Sequence, residues 1–181
     1  YYRTVTEDTL STIYNFLTPP APESETSFNL VAMSDMQRDS SNPFVYEELI
    51  EDGVINFMTT EYNTDIADAI DLVLVPGDLV DNGWARSEWT EEFFKPSAPL
   101  MSYVPLYPVL GNHEANTGYY FDFFHLPDNG NDEHWWYLDY SNTRVIGLDS
   151  NLLYRTQSQL DWLTDTLEDA CEDDTIDFVL A

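Results

Sequence analysis

Five short, almost continuously apolar runs alternate with longer stretches of helical periodicity, and this alternation limits the folds open to the chain. The runs are residues 28–33, 72–75, 107–110, 144–148 and 177–181. Strands that are apolar along their whole length are buried on both faces, so their sheet needs helices on either side. The predicted fold class is therefore α/β, a mixed β-sheet sandwich flanked by helices.

Three stretches between these runs are predicted to be helical. They are residues 44–60, 87–95 and 156–170. The last is the clearest, because Thr156 and Gln159 have the spacing of a capping box and Leu160, Leu163 and Leu167 recur on one side.

Residues 1–20 have a different character from the rest of the chain. Two runs rich in aromatic and β-branched residues, 1–5 and 12–18, flank a polar stretch and predict two strands with a connection. A proline-rich polar segment follows. We therefore predict remnant strands of a β-sandwich domain at 1–20, a linker at 21–27 and the α/β domain at 28–181.

The chain is strongly acidic, with 34 Asp and Glu against six Lys and Arg and a formal net charge of −28. Nucleic-acid binding needs basic patches, and an anionic membrane surface would repel this protein. The 43% hydrophobic and 15% aromatic content argues against disorder. No apolar run is long enough for membrane insertion. With a single lysine, Lys95, the composition favours an extracellular or cell-surface setting in a saline environment.

An acidic or amide side chain follows four of the predicted strands. The segments concerned are Asp35-Met36-Gln37, Gly77-Asp78 with Asp81, Gly111-Asn112-His113-Glu114, and Asp149-Ser150-Asn151. Ligands of open α/β sheets bind outside the carboxyl ends of the strands, so these side chains are expected to converge at one edge. Oxygen donors with an imidazole suit divalent cations such as zinc, iron or manganese.

The first three of these segments resemble the first three motifs of the calcineurin-like metallophosphoesterases. The stretches around Trp135-Trp136-Tyr137-Leu138 and Val145-Ile146-Gly147-Leu148-Asp149 resemble the purple-acid-phosphatase-like branch of that superfamily. That branch often carries a fibronectin-III-like domain ahead of the catalytic domain. The resemblance therefore implies a metallophosphoesterase-like fold, with residues 1–20 as the end of a fibronectin-III-like domain.

The resemblance also implies a pair of metal ions, divalent or trivalent and of the iron, zinc or manganese class. Asp78 matches the ligand that bridges them, Asp35 a ligand of the first metal and Asn112 a ligand of the second. Gln37 stands where many members have a histidine ligand, and its carbonyl oxygen can still coordinate. Asp81 stands where purple acid phosphatases have a tyrosine, so no iron-tyrosinate colour is expected.

The implied activity is hydrolysis of small phosphate monoesters or diesters, with a metal-bound hydroxide as the nucleophile. His113 matches the histidine beside the leaving group, as general acid or electrostatic stabiliser. Asp81 and Glu114 match positions that support the ligands and His113. The family's later histidine motifs do not occur in these 181 residues, so the chain is expected to be a fragment that is inactive alone.

Two alternatives remain open from the sequence. The chain could be a non-catalytic extracellular module that keeps the phosphoesterase fold, because Gln37 replaces a ligand and the acidity is extreme. It could also bind calcium through surface loops, for which the acidic run at 128–133 is the candidate. His125 and His134 are interpreted as structural or loop histidines.

Overall fold

A computed structural model of the protein describes residues 1–38 and 40–181, and its strands form three separate groups. The strands are β1 Val5–Thr6, β2 Thr9–Leu10, β3 Leu30–Ala32, β4 Leu72–Val75, β5 Leu106–Pro108, β6 Trp136–Tyr140, β7 Thr143–Gly147 and β8 Phe178–Leu180. Strands β3, β4 and β5 form a parallel sheet, whereas β6, β7 and β8 form a mixed one with β7 in the centre. The predicted mixed α/β sandwich is confirmed.

Helices cover these sheets and are joined by two π-helical segments. The α-helices are α1 Val45–Glu48, α2 Asn56–Tyr62, α3 Ile66–Ala69, α4 Arg86–Glu88, α5 Lys95–Met101, α6 Gly118–Phe123 and α7 Gln157–Glu172. The π-helical segments Leu49–Ile55 and Trp89–Phe94 connect α1 to α2 and α4 to α5. A single 3-10 turn, Pro22–Ser24, lies in the predicted linker among the described residues.

Two of the predicted helices agree closely with the structure, and the third is too short. The helix predicted at 87–95 runs from Arg86 to Met101, because neither Pro96 in the first turn of α5 nor Pro99 inside it ends the helix. Pro96 directly follows the π-helical segment, where the ordinary helical hydrogen-bond pattern is already interrupted.

Strand β6 was not predicted, and the N-terminal strands were misplaced. Strands at 1–5 and 12–18 were expected, but β1 and β2 pair at 5–6 and 9–10 within a tight hairpin whose turn holds Glu7 at φ 54°. Only Tyr2 and Tyr14 form a bridge farther out. The polar stretch is therefore the hairpin itself rather than a connection, and the fibronectin-III assignment and the domain boundaries stay predictions.

No helix in the described part of the chain is long and apolar enough to cross a membrane. The core between the first sheet and its helices is aromatic, with Trp89, Phe93 and Tyr120 fully buried. Trp89 Nε1 also donates to the Gly83 carbonyl at 2.8 Å, which fastens the loop after β4 to this core.

Arg144 on β7 is a buried cation, and its loss is expected to destabilise the fold by about 2 kcal/mol, since hydrogen bonds to charged groups contribute about 1.5–3 kcal/mol. Its guanidinium is 2% exposed, donates to both Asp139 oxygens at 2.7 and 2.9 Å and to Asp169 at 2.7 Å, and lies 4.3 Å from the Tyr137 ring centroid. Arg144→Gln leaves those carboxylates without their partner. Urea unfolding measures the change.

Lys95→Gln is the matched control, because Lys95 forms an exposed pair with Glu91 at 3.2 Å. Exposed helix pairs of this spacing contribute about 0.3–0.5 kcal/mol. Equal losses of unfolding free energy in Arg144→Gln and Lys95→Gln would show that the buried ion pairs of Arg144 stabilise the fold no more than an exposed pair.

Candidate functional site

The loops after β3, β4 and β5 meet at one edge of the parallel sheet. Met36 N donates to the Asp78 carbonyl at 2.9 Å, and Val109 N donates to the Val75 carbonyl at 2.8 Å. Asp35 and Asp78 both have left-handed backbones, with φ 57° and 54°. Such conformations are uncommon for residues other than glycine and persist where the surrounding structure enforces them.

The carboxylate of Asp78 lies against the loop that carries Asn112. Its Oδ1 accepts a hydrogen bond from the backbone N–H of His113 at 3.1 Å. Asp78 is half-buried and Asn112 is exposed, and both line the same large cavity. The structure therefore brings together the predicted bridging ligand and the predicted amide ligand.

Glu114 is fully buried beneath these loops, where it accepts backbone hydrogen bonds. Its Oε2 accepts from Asp78 N at 3.0 Å and Gly111 N at 2.7 Å. Its Oε1 accepts from Leu79 N at 2.7 Å and more weakly from Val80 N at 3.4 Å. Burial raises the pKa of this carboxyl, and the four N–H groups oppose that rise by stabilising its charged form.

Two further glutamates continue this pattern along the loop after β4. Asp81 N donates to Glu92 Oε2 at 3.0 Å, and Asn82 N donates to Glu88 Oε2 at 2.7 Å. Five consecutive backbone N–H groups, from residue 78 to 82, are therefore held by glutamate carboxylates. Glu92 lies on a π-helical segment, a feature that is frequent at functional sites. Sequence spacing gave no signal for Glu88 or Glu92.

His113 is oriented by Asp81 through the backbone of that residue. Its Nδ1 lies 2.7 Å from the Asp81 carbonyl oxygen and 3.5 Å from Asp81 Oδ1. The bond to the carbonyl raises the pKa of His113, burial opposes it, and the charges of Asp78, Asp81 and Glu114 add to the rise. An imidazole that donates from Nδ1 keeps Nε2 for a substrate.

Asn112 and Asp78 open onto a cavity of about 810 Å³ between the two larger sheets. Its wall is largely apolar, with Tyr107, Trp136 and Leu153 among the lining residues. Among the described residues that line it, Arg155 is the single Lys or Arg. Cavities of this size, with a few polar groups at one end, are typical of small-molecule sites.

Gln37 does not line that cavity. It lines a separate space of about 10 Å³ with Arg38, Pro43 and Tyr46, on the side of the helices. Its Oε1 is buried and has no hydrogen-bond partner in the described part of the chain. The carbonyl oxygen is thus uncommitted, and its role as a metal ligand stays a prediction.

The donors at this edge fit a metal centre in chemical type. Asp35 and Asp78 supply carboxylates and Asn112 an amide oxygen, on loops that are in backbone contact. Within residues 1–38 and 40–181, no three His, Cys, Asp or Glu side chains form a group that could hold a metal ion. A metal ion at this edge would therefore need amide oxygens as ligands besides the described carboxylates.

The acidic run at 128–133 is held to β6 and α7 by the hydrogen bonds of Asn129. Asn129 Oδ1 accepts from Tyr137 N at 2.9 Å, Asn129 Nδ2 donates to the Tyr137 carbonyl at 2.7 Å, and Trp162 Nε1 donates to the Asn129 carbonyl at 2.6 Å. These contacts describe a structural turn, and calcium binding there stays a prediction.

Gly111→Ala is expected to disrupt the site, because a Cβ at this position would lie 2.1 Å from Asp78 Oδ1 and 2.8 Å from Glu114 Oε2. Relieving that overlap must displace the Asp78 carboxylate, so we expect the activity of the site to fall on the order of 10²-fold. Enzyme assay and thermal unfolding measure the two effects.

Gly118→Ala is the control, since no atom of the described residues lies within 4 Å of the added Cβ in α6. Alanine in a helix is favoured over glycine by roughly 0.5–1 kcal/mol, so this variant should keep or gain stability. Full activity in Gly111→Ala would contradict the described loop packing.

The chain is similar to a known protein family, to a plant relative and to a solved plant structure. The family model described as Calcineurin-like phosphoesterase matches residues 28–181. A nucleotide pyrophosphatase/phosphodiesterase of barley (Hordeum vulgare) is 27% identical over 157 residues, which is 76% of this chain and 41% of the barley protein. The chain thus spans less than half the length of that relative.

A structure of a purple acid phosphatase from yellow lupin (Lupinus luteus) seeds is similar in fold. The match has a TM-score of 0.67 at 18% identity and covers 94% of this chain and 32% of the lupin chain.

Proposed function

The chain belongs to the calcineurin-like phosphoesterase family, and from this premise we propose that the protein of which it forms part or all hydrolyses small phosphate monoesters or diesters. The observation that supports the proposal most directly is the meeting of the strand-end loops: Asp78 and Asn112 line one cavity, and the Asp78 carboxylate accepts a hydrogen bond from His113 N. The names of the barley and lupin relatives also describe phosphoester chemistry.

Calcineurin-like phosphoesterases and purple acid phosphatases use dinuclear metal centres. We propose that Asp78 would bridge two ions, that Asp35 would bind one of them and Asn112 the other, with Gln37 as a further candidate. Bound ions would supply the positive charge that stabilises developing charge on phosphoryl oxygens. Iron, zinc and manganese are the proposed metals.

His113 is the proposed catalytic residue. With Nδ1 bonded to the Asp81 carbonyl, a protonated Nε2 can donate its proton to the oxygen of the leaving alcohol. Asp81 acts by holding the ring, and Glu92 holds Asp81 in turn.

Arg155 is proposed to bind the substrate phosphate. A net charge of −28 repels an anionic substrate, and Arg155 presents a guanidinium at the cavity, with Nε anchored on the Ser150 carbonyl. Arg155→Gln is expected to raise KM about tenfold, since charge-assisted hydrogen bonds contribute about 1.5–3 kcal/mol. Steady-state kinetics with an aryl phosphate measures it.

Arg86→Gln makes the same change in net charge at an exposed position on α4. Its KM should stay within about twofold of the wild type, because Arg86 is not among the residues that line the cavity and its exposed charge is screened from it. Equal shifts in both variants would assign the effect to net charge and not to Arg155.

The function is tested by assaying hydrolysis of an aryl phosphate and a bis-aryl phosphate before and after removal of metal with a chelator. Activity that is lost with the chelator and restored by Mn²⁺, Zn²⁺ or iron supports the proposal. Hydrolysis that is insensitive to the chelator would contradict it. The ratio of the two rates distinguishes a monoesterase from a diesterase.

The non-catalytic alternative is not favoured, because the family and both relatives are named for phosphoester chemistry. The extracellular or cell-surface setting in a saline environment remains a proposal that is supported by the charge of −28.

A further inference from the structure

Asp149, at the end of β7, is a fully buried carboxylate outside the candidate ligand set. Its Oδ2 lies 2.9 Å from His134 Nδ1, and its Oδ1 accepts from Asn151 N and Asn151 Nδ2, both at 2.9 Å. A carboxylate buried without donors would be costly, and these three donors meet that requirement. Asp149, His134 and Asn151 are called the buried triad below.

The backbone of Asp149 is fixed by a different residue. Gln159, in the first turn of α7, accepts from Asp149 N at 2.8 Å and donates to the Asp149 carbonyl at 3.0 Å. Its Nε2 also donates to the Tyr154 carbonyl at 2.8 Å, so Gln159 holds the backbones of Asp149 and Tyr154 together. The position of the Asp149 carboxylate is therefore set by α7 and not by the candidate site.

His134 is held on both sides of its ring. The ring is 7% exposed, stacks on Tyr154 with centroids 3.8 Å apart, and lies 5.1 Å from the ring of Phe121. Tyr154 Oη also accepts from Asn116 Nδ2 at 2.8 Å, in the loop that follows Glu114. Such packing leaves the imidazole little freedom to leave the Asp149 carboxylate.

Asn151 carries the connection across to the first sheet. Its Nδ2 lies 3.3 Å from the carbonyl oxygens of both Leu110 and Gly111, besides its bond to Asp149. Those carbonyls directly precede Asn112. The Asn151 side-chain amide therefore joins the loop after β7 to the loop after β5. The contact is made at residues 110 and 111, whose backbone determines the position of the Asn112 Cα.

We propose that the buried triad is a positioning device for Asn112: Asp149 and His134 fix the Asn151 amide, and that amide fixes the 110–111 backbone. The proposal rests on the proposed function in taking Asn112 as a metal ligand. It adds three residues, none of which is a catalytic residue, to the groups on which the site depends. Partners of metal ligands typically alter metal affinity or activity 10–100-fold when they are removed.

Asn151→Ala removes the donor without adding a charge, and Asn151→Asp places an oxygen against three acceptors. Both should lower the affinity for Mn²⁺, measured by calorimetry, on the order of tenfold or more. We expect kcat to fall together with the Mn²⁺ affinity, and KM is measured separately because Asn151 also lines the cavity. Hydrogen exchange of segment 110–114 should accelerate in the same variants.

Asn142→Asp is the matched control, because Asn142 makes an exposed bond to Asp177 away from the site. His134→Asn keeps a donor in place of Nδ1, whereas His134→Phe keeps only the ring packing. The asparagine variant should retain Mn²⁺ affinity within about threefold of the wild type and the phenylalanine variant should lose it, on the order of tenfold.

The outcomes separate the two proposals. A wild-type protein that neither binds Mn²⁺ nor hydrolyses an aryl phosphate overturns the proposed function, while exchange at 110–114 still tests the positioning device. Asn151→Ala with wild-type exchange in that segment, or with wild-type Mn²⁺ affinity in an active protein, overturns the positioning device. Equal losses of Mn²⁺ affinity in His134→Asn and His134→Phe would show that the contact between His134 and Asp149 does not help to position Asn112.

Discussion

Asp78→Asn is expected to lower kcat/KM for phosphate esters on the order of 10³-fold while leaving the fold intact. Asparagine tolerates the left-handed backbone of this position, φ 54°, and its Oδ1 can still accept from His113 N. What the substitution removes is the negative charge of the proposed bridging ligand. Enzyme kinetics, metal analysis and urea unfolding of the same preparation measure the three consequences.

Asp132→Asn is the matched control for this change. Asp132 is exposed and also has a left-handed backbone, φ 46°, so the substitution makes the same chemical change in the same conformation away from the site. Its activity and its content of iron, zinc and manganese should equal those of the wild type. Unchanged activity in Asp78→Asn would show that the charge of Asp78 is not needed for metal binding. It would contradict the proposed bridging ligand and the proposed metal-dependent reaction.

The strand-end loops could be predicted because a few short-range signals define them. An apolar run such as Leu72–Val75 is recognisable as a buried strand, and the acid that follows it must emerge at the sheet edge. The cap of α7 is equally local, and Thr156 does accept from Gln159 N at 3.4 Å. The reciprocal half of a capping box is absent in the described structure, because the Gln159 side chain bonds to Asp149 and Tyr154.

The supporting contacts could not be predicted, since they join residues far apart in the chain. Glu92 reaches Asp81 from a π-helical segment, a geometry that hydrophobic periodicity does not distinguish from an ordinary helix. Asn151 meets Gly111 across 40 residues because two sheets adjoin there. Such contacts depend on how the elements pack, which the spacing of residues along the chain does not encode.

Glu114→Gln is expected to reduce both stability and activity. Four backbone N–H groups, those of Asp78, Leu79, Val80 and Gly111, point at two carboxylate oxygens in a site with no exposure. A glutamine turns one of those oxygens into a donor that faces other donors. We expect the free energy of unfolding to fall by about 3 kcal/mol, because buried donors lose their acceptor.

Activity should fall more than the loss of stability alone requires. The loops that Glu114 joins carry Asp78 and Asn112, so their relaxation moves both proposed ligands, and small displacements at a reacting centre can cost on the order of 10²-fold in rate. Urea unfolding and kcat, measured under conditions where the variant is folded, separate the two effects.

Glu88→Gln provides the comparison, since Glu88 accepts one backbone N–H, that of Asn82, in an exposed setting. Water can replace that bond, so the loss should stay below about 1 kcal/mol. Similar losses in the two variants would mean that the buried carboxylate acts as one ordinary acceptor among many. A large loss confined to Glu114→Gln would show that one buried carboxylate joins the two loops, so that the fold and the proposed metal site depend on the same side chain.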